Sequence, residues 1–209
     1  MEIHTPEHPP LSMREFGIQL VTITAGILIA LSLEGLTEWF HHRSLVREAR
    51  ANLASELRDN KVELDKVLSA APASEKDLRT ALQLIDDILS HRRSDIHTLS
   101  LSYNLAILNT ASRSTAEATG AFGYMDYAEV KRFATVYDLQ QQFNRLQDRL
   151  IEAWIPMLTP AQAGDPEQMD PSALRDWRQQ VLTSLSHLQA EVSFGHSLSA
   201  QYAKALEKP

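Results

Sequence analysis

The chain contains no cysteine. Disulfides, thiolate metal sites, iron–sulfur clusters and a cysteine nucleophile are therefore excluded. Its seven glycines form neither Gly-x-Gly-x-x-Gly nor Gly-x-x-x-x-Gly-Lys, so no glycine-built phosphate loop is present. There is no Gly-x-Ser-x-Gly elbow, and the serines have no evident His/Asp partners. Positive charge is also short: 20 Lys and Arg stand against 27 Asp and Glu, a formal net charge of -7. That balance argues against a general nucleic-acid binder. Few runs alternate with a period of two and no strand-turn-strand pattern appears, which disfavours a sheet.

What is present fits one domain, or one domain with an appendage. The 209 residues are 44% apolar and 22% charged, ordinary values for a folded chain. The mean hydropathy of -0.25 resembles that of a soluble protein, but the average conceals a long apolar run. Residues 16–36 read FGIQLVTITAGILIALSLEGL, with Glu34 as the one formal charge. Twenty-one helical residues extend about 32 Å, enough to cross a hydrocarbon core of about 30 Å. Pro9 and Pro10 exclude helix upstream, and Ser12 with Glu15 forms a capping box. Trp39 and Phe40 follow the run, then His41, His42 and Arg43. Aromatic then basic is the order expected where a helix leaves a bilayer, and these five residues form the expected membrane interface. A buried core helix is the competing reading, supported by Gln19, Thr22, Thr24, Ser32 and Glu34. A cleaved signal peptide is weaker, because the N-terminal tail lacks a basic cluster and no A-x-A site follows.

Gln19, Thr22, Gly26, Ala30 and Glu34 recur at spacings of three or four and share one side of this helix. Gly26 and Ala30 form a small-xxx-small pair that admits a second helix closely. The face suggests self-association or docking to another membrane protein. Arg14 is the one Lys or Arg before the span, and Arg43, Arg47 and Arg50 follow it. The positive-inside rule favours a cytoplasmic C-terminal part, but these arginines also continue an amphipathic helix, so the side stays open.

The remainder reads as long amphipathic helices. Val46, Ala49, Leu53, Leu57, Leu64 and Val67 continue the membrane helix to about residue 70. Residues 69–73, with Pro72, predict a break, and Ser74 with Asp77 predicts the cap of a second helix carrying Leu78, Leu82, Ile85 and Leu89. Residues 94–125 are irregular, with one short helix capped by Ser114 and Glu117. Asp126 with Glu129 opens a third long helix, and Pro156 ends or kinks it before a loop at residues 159–170. Asp170-Pro171 starts the last helix, whose stripe (Leu174, Trp177, Val181, Leu185, Leu188, Val192, Tyr202 and Leu206) keeps a spacing close to 3.5. The expectation is all-α: an extended tail over 1–12, a transmembrane helix over 13–40, and a bundle over 41–209 of about four long helices with coiled-coil-like packing.

No catalytic, cofactor or metal site is expected. Glu38 and His41 form a Glu-x-x-His half-motif, but no second copy exists, so His41 and His42 read as interface residues. His4 and His8 could join them only if the tail folded back. The segment 110–137 is rich in small residues, aromatics and turns. It reads as a packed cap, with Phe122, Tyr124, Met125 and Tyr127 closing the bundle, or as the lid of a ligand pocket.

The stretches MEIHTPEHP, REFGIQLVTITAGILIALSLEGL and EWFHHRSLVREARANLASEL together resemble a group of uncharacterised bacterial single-pass inner-membrane proteins with a helical soluble part. The stretch TAEATGAFGYMDYAEVKRFATVYDLQQQ is more loosely similar to their middle segment. The resemblance implies a bacterial inner-membrane location and no activity. Three functions are weighed. The first is a membrane-anchored helical interaction or scaffold protein, with the bilayer and a second copy or another membrane protein as partners. The second is a ligand-sensing bundle signalling through a partner, its small-molecule ligand unknown. The third is a metal-dependent membrane enzyme using Glu34, Glu38, His41 and His42. The first is favoured, because every strong signal is structural.

Overall fold

The computed structural model describes residues 13–96, 98–162 and 165–207, with residues 161 and 162 described by backbone alone. The expected tail over 1–12, with His4 and His8, lies outside the described residues. Among the described residues the fold is all-α. It comprises α1 (Met13–Leu89), α2 (Ala111–Ala118), α3 (Tyr127–Gln162) and α4 (Pro171–Leu206), with 3-10 turns at Ala121–Tyr124 and Pro166–Gln168. The chain divides into two compact units, Met1–Glu48 and Ala49–Pro209, and α1 contributes to both.

In the first unit, helix propensity and backbone satisfaction suffice to explain the local structure. Thr22 Oγ1 donates to the Ile18 carbonyl at 2.9 Å and Ser32 Oγ to the Leu28 carbonyl at 2.7 Å. These back-bonds give polar hydroxyls a partner within the helix itself.

In the second unit, buried positions on each long helix alternate by three and four. On α1 they include Leu53, Leu57, Asn60, Leu64, Val67, Ala71, Ser74, Leu78, Ala81 and Ile85. On α3 the series runs through Phe133, Val136, Gln140, Phe143, Gln147, Leu150, Trp154 and Met157. On α4 it runs Leu174, Trp177, Val181, Ser184, Leu188, Glu191, Gly195, Leu198, Tyr202 and Ala205. Cross-links between helices define their directions. Arg50 meets Glu129 and Asn60 meets Gln140, so α1 and α3 run parallel. Asp65 meets Ser199 and Asp86 meets Arg178, so α4 runs antiparallel to α1. The helices approach closely at Gly195, where a Cβ would lie 2.8 Å from Leu68 Cδ2 and 3.2 Å from Phe143 Cε2. A glycine inside a helix costs about 1 kcal/mol against alanine, and here the close approach accounts for it.

Three sequence expectations are corrected. First, α1 does not break at residues 69–73 but continues through Pro72, and Ser74 is a buried core position rather than a cap. An interior proline costs about 3 kcal/mol. The in-phase burial of Leu64, Val67, Leu68 and Ala71 before it and Leu78, Ala81 and Ile85 after it outweighs that cost. Second, α3 runs through Pro156 and Pro160 to Gln162, so the expected loop is shorter. Trp177 Nε1 donates to the Met157 carbonyl at 2.9 Å and Ser184 Oγ to the Ala153 carbonyl at 3.2 Å, holding this end of α3 on α4. Third, the expected number of helices, about four, is met among the described residues, but only α1, α3 and α4 are long and the fourth is the short α2. The two segments expected on either side of Pro72 are one helix, and residues 92–96 and 98–110 form a non-helical arm whose later part returns along it.

The arm begins where His91, at φ 53°, closes α1 in the left-handed region. The His91 N–H donates to the Ile88 carbonyl and the Arg92 N–H to the Asp87 carbonyl, the pattern of a helix-ending motif. At the far end α2 starts at Ala111, with Thr110 rather than Ser114 at the N-cap position. Thr110 makes no side-chain cap bond, and Glu56 Oε2 of α1 receives the Ser112 N–H at 2.7 Å instead. The caps at Asp126 and Asp170 are as the sequence indicates. Asp126 Oδ1 accepts from the Ala128 N–H at 2.9 Å, and Asp170 Oδ1 from the Ser172 N–H at 2.7 Å.

Candidate functional site

Two regions carry the chemistry of this chain, and each belongs to one unit. The first is the apolar part of α1. Gln19, Thr22, Gly26, Ala30 and Glu34 are all exposed along it, and nothing lies within 4 Å of where a Gly26 Cβ would stand. Gln19 and Glu34 have no side-chain partner among the described residues, whereas Thr22 is satisfied within the helix. Past the apolar run, the Trp39 and Phe40 rings meet edge to face at 5.0 Å. The Arg43 guanidinium sits 5.2 Å from the Trp39 ring centroid, so its charge rests on the aromatic face. His42 Nε2 lies 3.9 Å from Glu38 Oε1, and the His41 and His42 rings are 6.0 Å apart. Among the described residues no three His, Asp or Glu side chains come together as metal ligands. Glu34, Glu38, His41 and His42 therefore form no shared donor set here.

The second region is a polar seam beneath the extended arm. An extended backbone without a neighbouring strand needs partners for its N–H and C=O groups. Side-chain amides from the helices supply them. Gln147 Oε1 accepts the Ala106 N–H at 2.9 Å while its Nε2 donates to the Ala106 carbonyl at 3.1 Å. Asn60 treats Asn109 the same way, both bonds being 2.8 Å. Gln140 Nε2 adds a bond to the Asn109 carbonyl at 3.0 Å, and Tyr202 donates to Gln140 Oε1 at 2.7 Å. Tyr137 donates to Glu56 Oε1 at 2.5 Å. Burial, with the nearby Glu56 carboxylate, pushes the Tyr137 and Tyr202 phenols well above their ordinary range, so both stay protonated donors.

Farther along the arm, Tyr103 lies against Trp154 with ring centroids 5.5 Å apart. Its hydroxyl is 2.8 and 2.9 Å from the two Glu191 oxygens. Glu191 is 2% exposed. Burial pushes its carboxyl up to about 7, partly opposed by the Tyr103 hydrogen bond. A cavity of about 10 Å³, room for about one water molecule, adjoins them, walled mainly by Leu68, Ala71, Leu188 and Val192. A carboxylate with one donor is incompletely satisfied, so protonation is the cheaper state below about pH 7.

Sequence reasoning missed this seam. Asn60, Gln140, Gln147 and Glu191 occupy core positions, and a search for apolar stripes passes over them. One signal was available: Leu99, Ser100, Leu101, Ser102 and Tyr103 alternate with a period of two, and Leu99, Leu101 and Tyr103 pack on the core. The segment 110–137 is only partly the cap expected from its aromatics. Met125 is buried and Phe122 half-buried, but Tyr124 and Tyr127 are exposed. In comparisons with protein-family models, curated proteins and solved structures, nothing matches this chain.

Proposed function

We propose that this chain is a membrane-anchored helical interaction or scaffold protein of the bacterial inner membrane, with residues 16–36 as its single span. One observation carries the reading: an 18-residue window of α1 has a mean hydropathy of 2.1 and none of it is buried. Large apolar side chains from Phe16 and Ile18 to Leu33 and Leu36 stand half or more exposed. At about 1.5–3 kcal/mol per such side chain, their transfer out of water is worth on the order of 10 kcal/mol or more. That outweighs the roughly 2.5–3.5 kcal/mol for Glu34 at a bilayer centre, and Glu34 lies toward one end. A core helix would hide these residues. Trp39, Phe40, His41, His42 and Arg43 then sit at headgroup level, and Arg43, Arg47 and Arg50 favour a cytoplasmic bundle. The three-four burial rhythm of α1, α3 and α4 supports coiled-coil-like packing of that bundle. Its membrane partner is a second copy or another membrane protein, met through Gln19, Thr22, Gly26, Ala30 and Glu34.

Alkaline carbonate extraction, with a topology reporter fused after Pro209, tests the placement. Retention in the membrane pellet with a cytoplasmic reporter signal is expected. Release into the supernatant would remove the span. A second reading, a ligand-binding bundle, has one observation in its favour: a cleft of about 480 Å³ between α3 and α4.

A further inference from the structure

The cleft between the start of α3 and the end of α4 is lined by Lys131, Arg132, Thr135, Gln201, Lys204 and Glu207. Three cations thus face one carboxylate in a chain whose net charge is -7. Elsewhere in the second unit Arg50, Lys61, Arg79, Arg92, Arg113 and Arg178 each hold a carboxylate within 3 Å, whereas Arg58, Lys66, Lys76, Arg93, Arg145, Arg149 and Arg175 form no ion pair among the described residues but do not line this cleft. Lys131 and Lys204 form no ion pair among the described residues. Arg132 is the more telling case. Its nearest carboxylate is Glu129, but both Glu129 oxygens are taken by Arg50 at 2.6 Å. Arg132 Nη2 reaches Glu129 Oε1 only at 3.9 Å, and its Nε is shut from solvent without an acceptor. That Nε is closed to a ligand as it is to water, and it is the outer guanidinium nitrogens, on a side chain 30% exposed, that stay open to an anionic acceptor from the cleft. At about 480 Å³ the cleft is within the range of small-molecule sites. Thr135 and Gln201 add neutral hydrogen-bonding groups to its wall.

We infer that this cleft binds a phosphate-bearing anion, held by Lys131, Arg132 and Lys204. The inference deepens the ligand-binding reading by naming a ligand class. It does not depend on the membrane span, because every residue involved lies between 128 and 207. The phosphate could be free in solution or the headgroup of an anionic lipid, and one experiment separates the two.

The full chain is placed in phosphatidylcholine nanodiscs, its lysines are reductively dimethylated with 13C, which keeps their charge, and the methyl resonances are assigned with single Lys→Gln variants. Inorganic phosphate is titrated at constant ionic strength. In a second arm, 30% phosphatidylglycerol replaces part of the phosphatidylcholine. Saturable shifts of Lys131 and Lys204, with Lys61, Lys66 and Lys76 unmoved, support the site. Shifts with inorganic phosphate assign a free anion, and shifts confined to the phosphatidylglycerol discs assign a headgroup. The Lys131→Gln/Lys204→Gln variant, labelled uniformly with 15N, should weaken phosphate binding about tenfold or more, followed at the backbone amide signals of Thr135 and Gln201 against 15N-labelled wild type. The Lys131→Arg/Lys204→Arg variant should keep it. No selective shift in either arm, or equal shifts at all lysines, would overturn the inference. A chain that needs no nanodisc to stay dispersed refutes the span alone, and the phosphate arm is then read in plain buffer.

Discussion

Glu191 is a carboxyl whose buried environment differs sharply from what water would offer it. The carboxyl is pushed up to about 7 from an ordinary 4.5, so the folded chain holds this proton more tightly than the unfolded chain. Its contribution to stability is full below about pH 4.5 and is lost as pH rises through 7. A shift of that size corresponds to about 3 kcal/mol. Glu191→Gln keeps an acceptor for Tyr103 and removes the titration. Thermal melts of the two proteins should diverge between pH 5 and 8, with only the wild type losing stability along that series. Parallel curves would show that Glu191 does not control this range. Gln147 makes a different claim. Gln147→Ala strips both partners from the Ala106 backbone, which is 3% exposed. We expect a loss of about 2–3 kcal/mol in denaturant midpoints and faster hydrogen exchange at the Ala106 amide. Unchanged exchange there would mean that the amide clamp does not hold the arm.

At the scale of elements, the instructive case is a helix that passes through a proline. Pro72 is exposed, and its neighbours Ala71 and Ser74 keep the burial rhythm on either side. If tertiary packing carries α1 across this point, the proline costs stability there. Pro72→Ala should then raise the unfolding midpoint, by up to about 3 kcal/mol. A destabilised variant would mean that the proline is itself required by the geometry. The capping residues Asp126 and Asp170 were legible in the sequence, because a side chain two residues from the N–H it accepts acts locally. The α2 cap was not. Its acceptor is Glu56, which is 56 residues away in the chain. The same holds for the arm. Its conformation depends on Asn60, Gln147 and Glu191, none of which adjoins it in sequence.

For the molecule as a whole, the chain comprises an N-terminal unit of exposed apolar helix and a packed unit of three long helices with an arm. If the first unit associates in the membrane, Gly26 is where a partner helix comes closest. Gly26→Ile leaves the single helix unstrained, since nothing lies within 4 Å of its Cβ position. Crosslinking in membranes should therefore fall severalfold in this variant without loss of the folded bundle. Unchanged crosslinking would assign association, if any, to another face. Composition and periodicity were enough for the all-α class, the apolar run at residues 16–36 and most of the apolar stripes. These follow from local propensity and from which side chains avoid water. Only the tertiary structure decided that α1 crosses Pro72, that α3 crosses Pro156 and Pro160, and that the fourth helix is the short α2 at the end of a non-helical arm. It also decided which polar residues lie inside. A buried amide or carboxyl is tolerated only where a partner meets it, and here the partners come from distant parts of the chain.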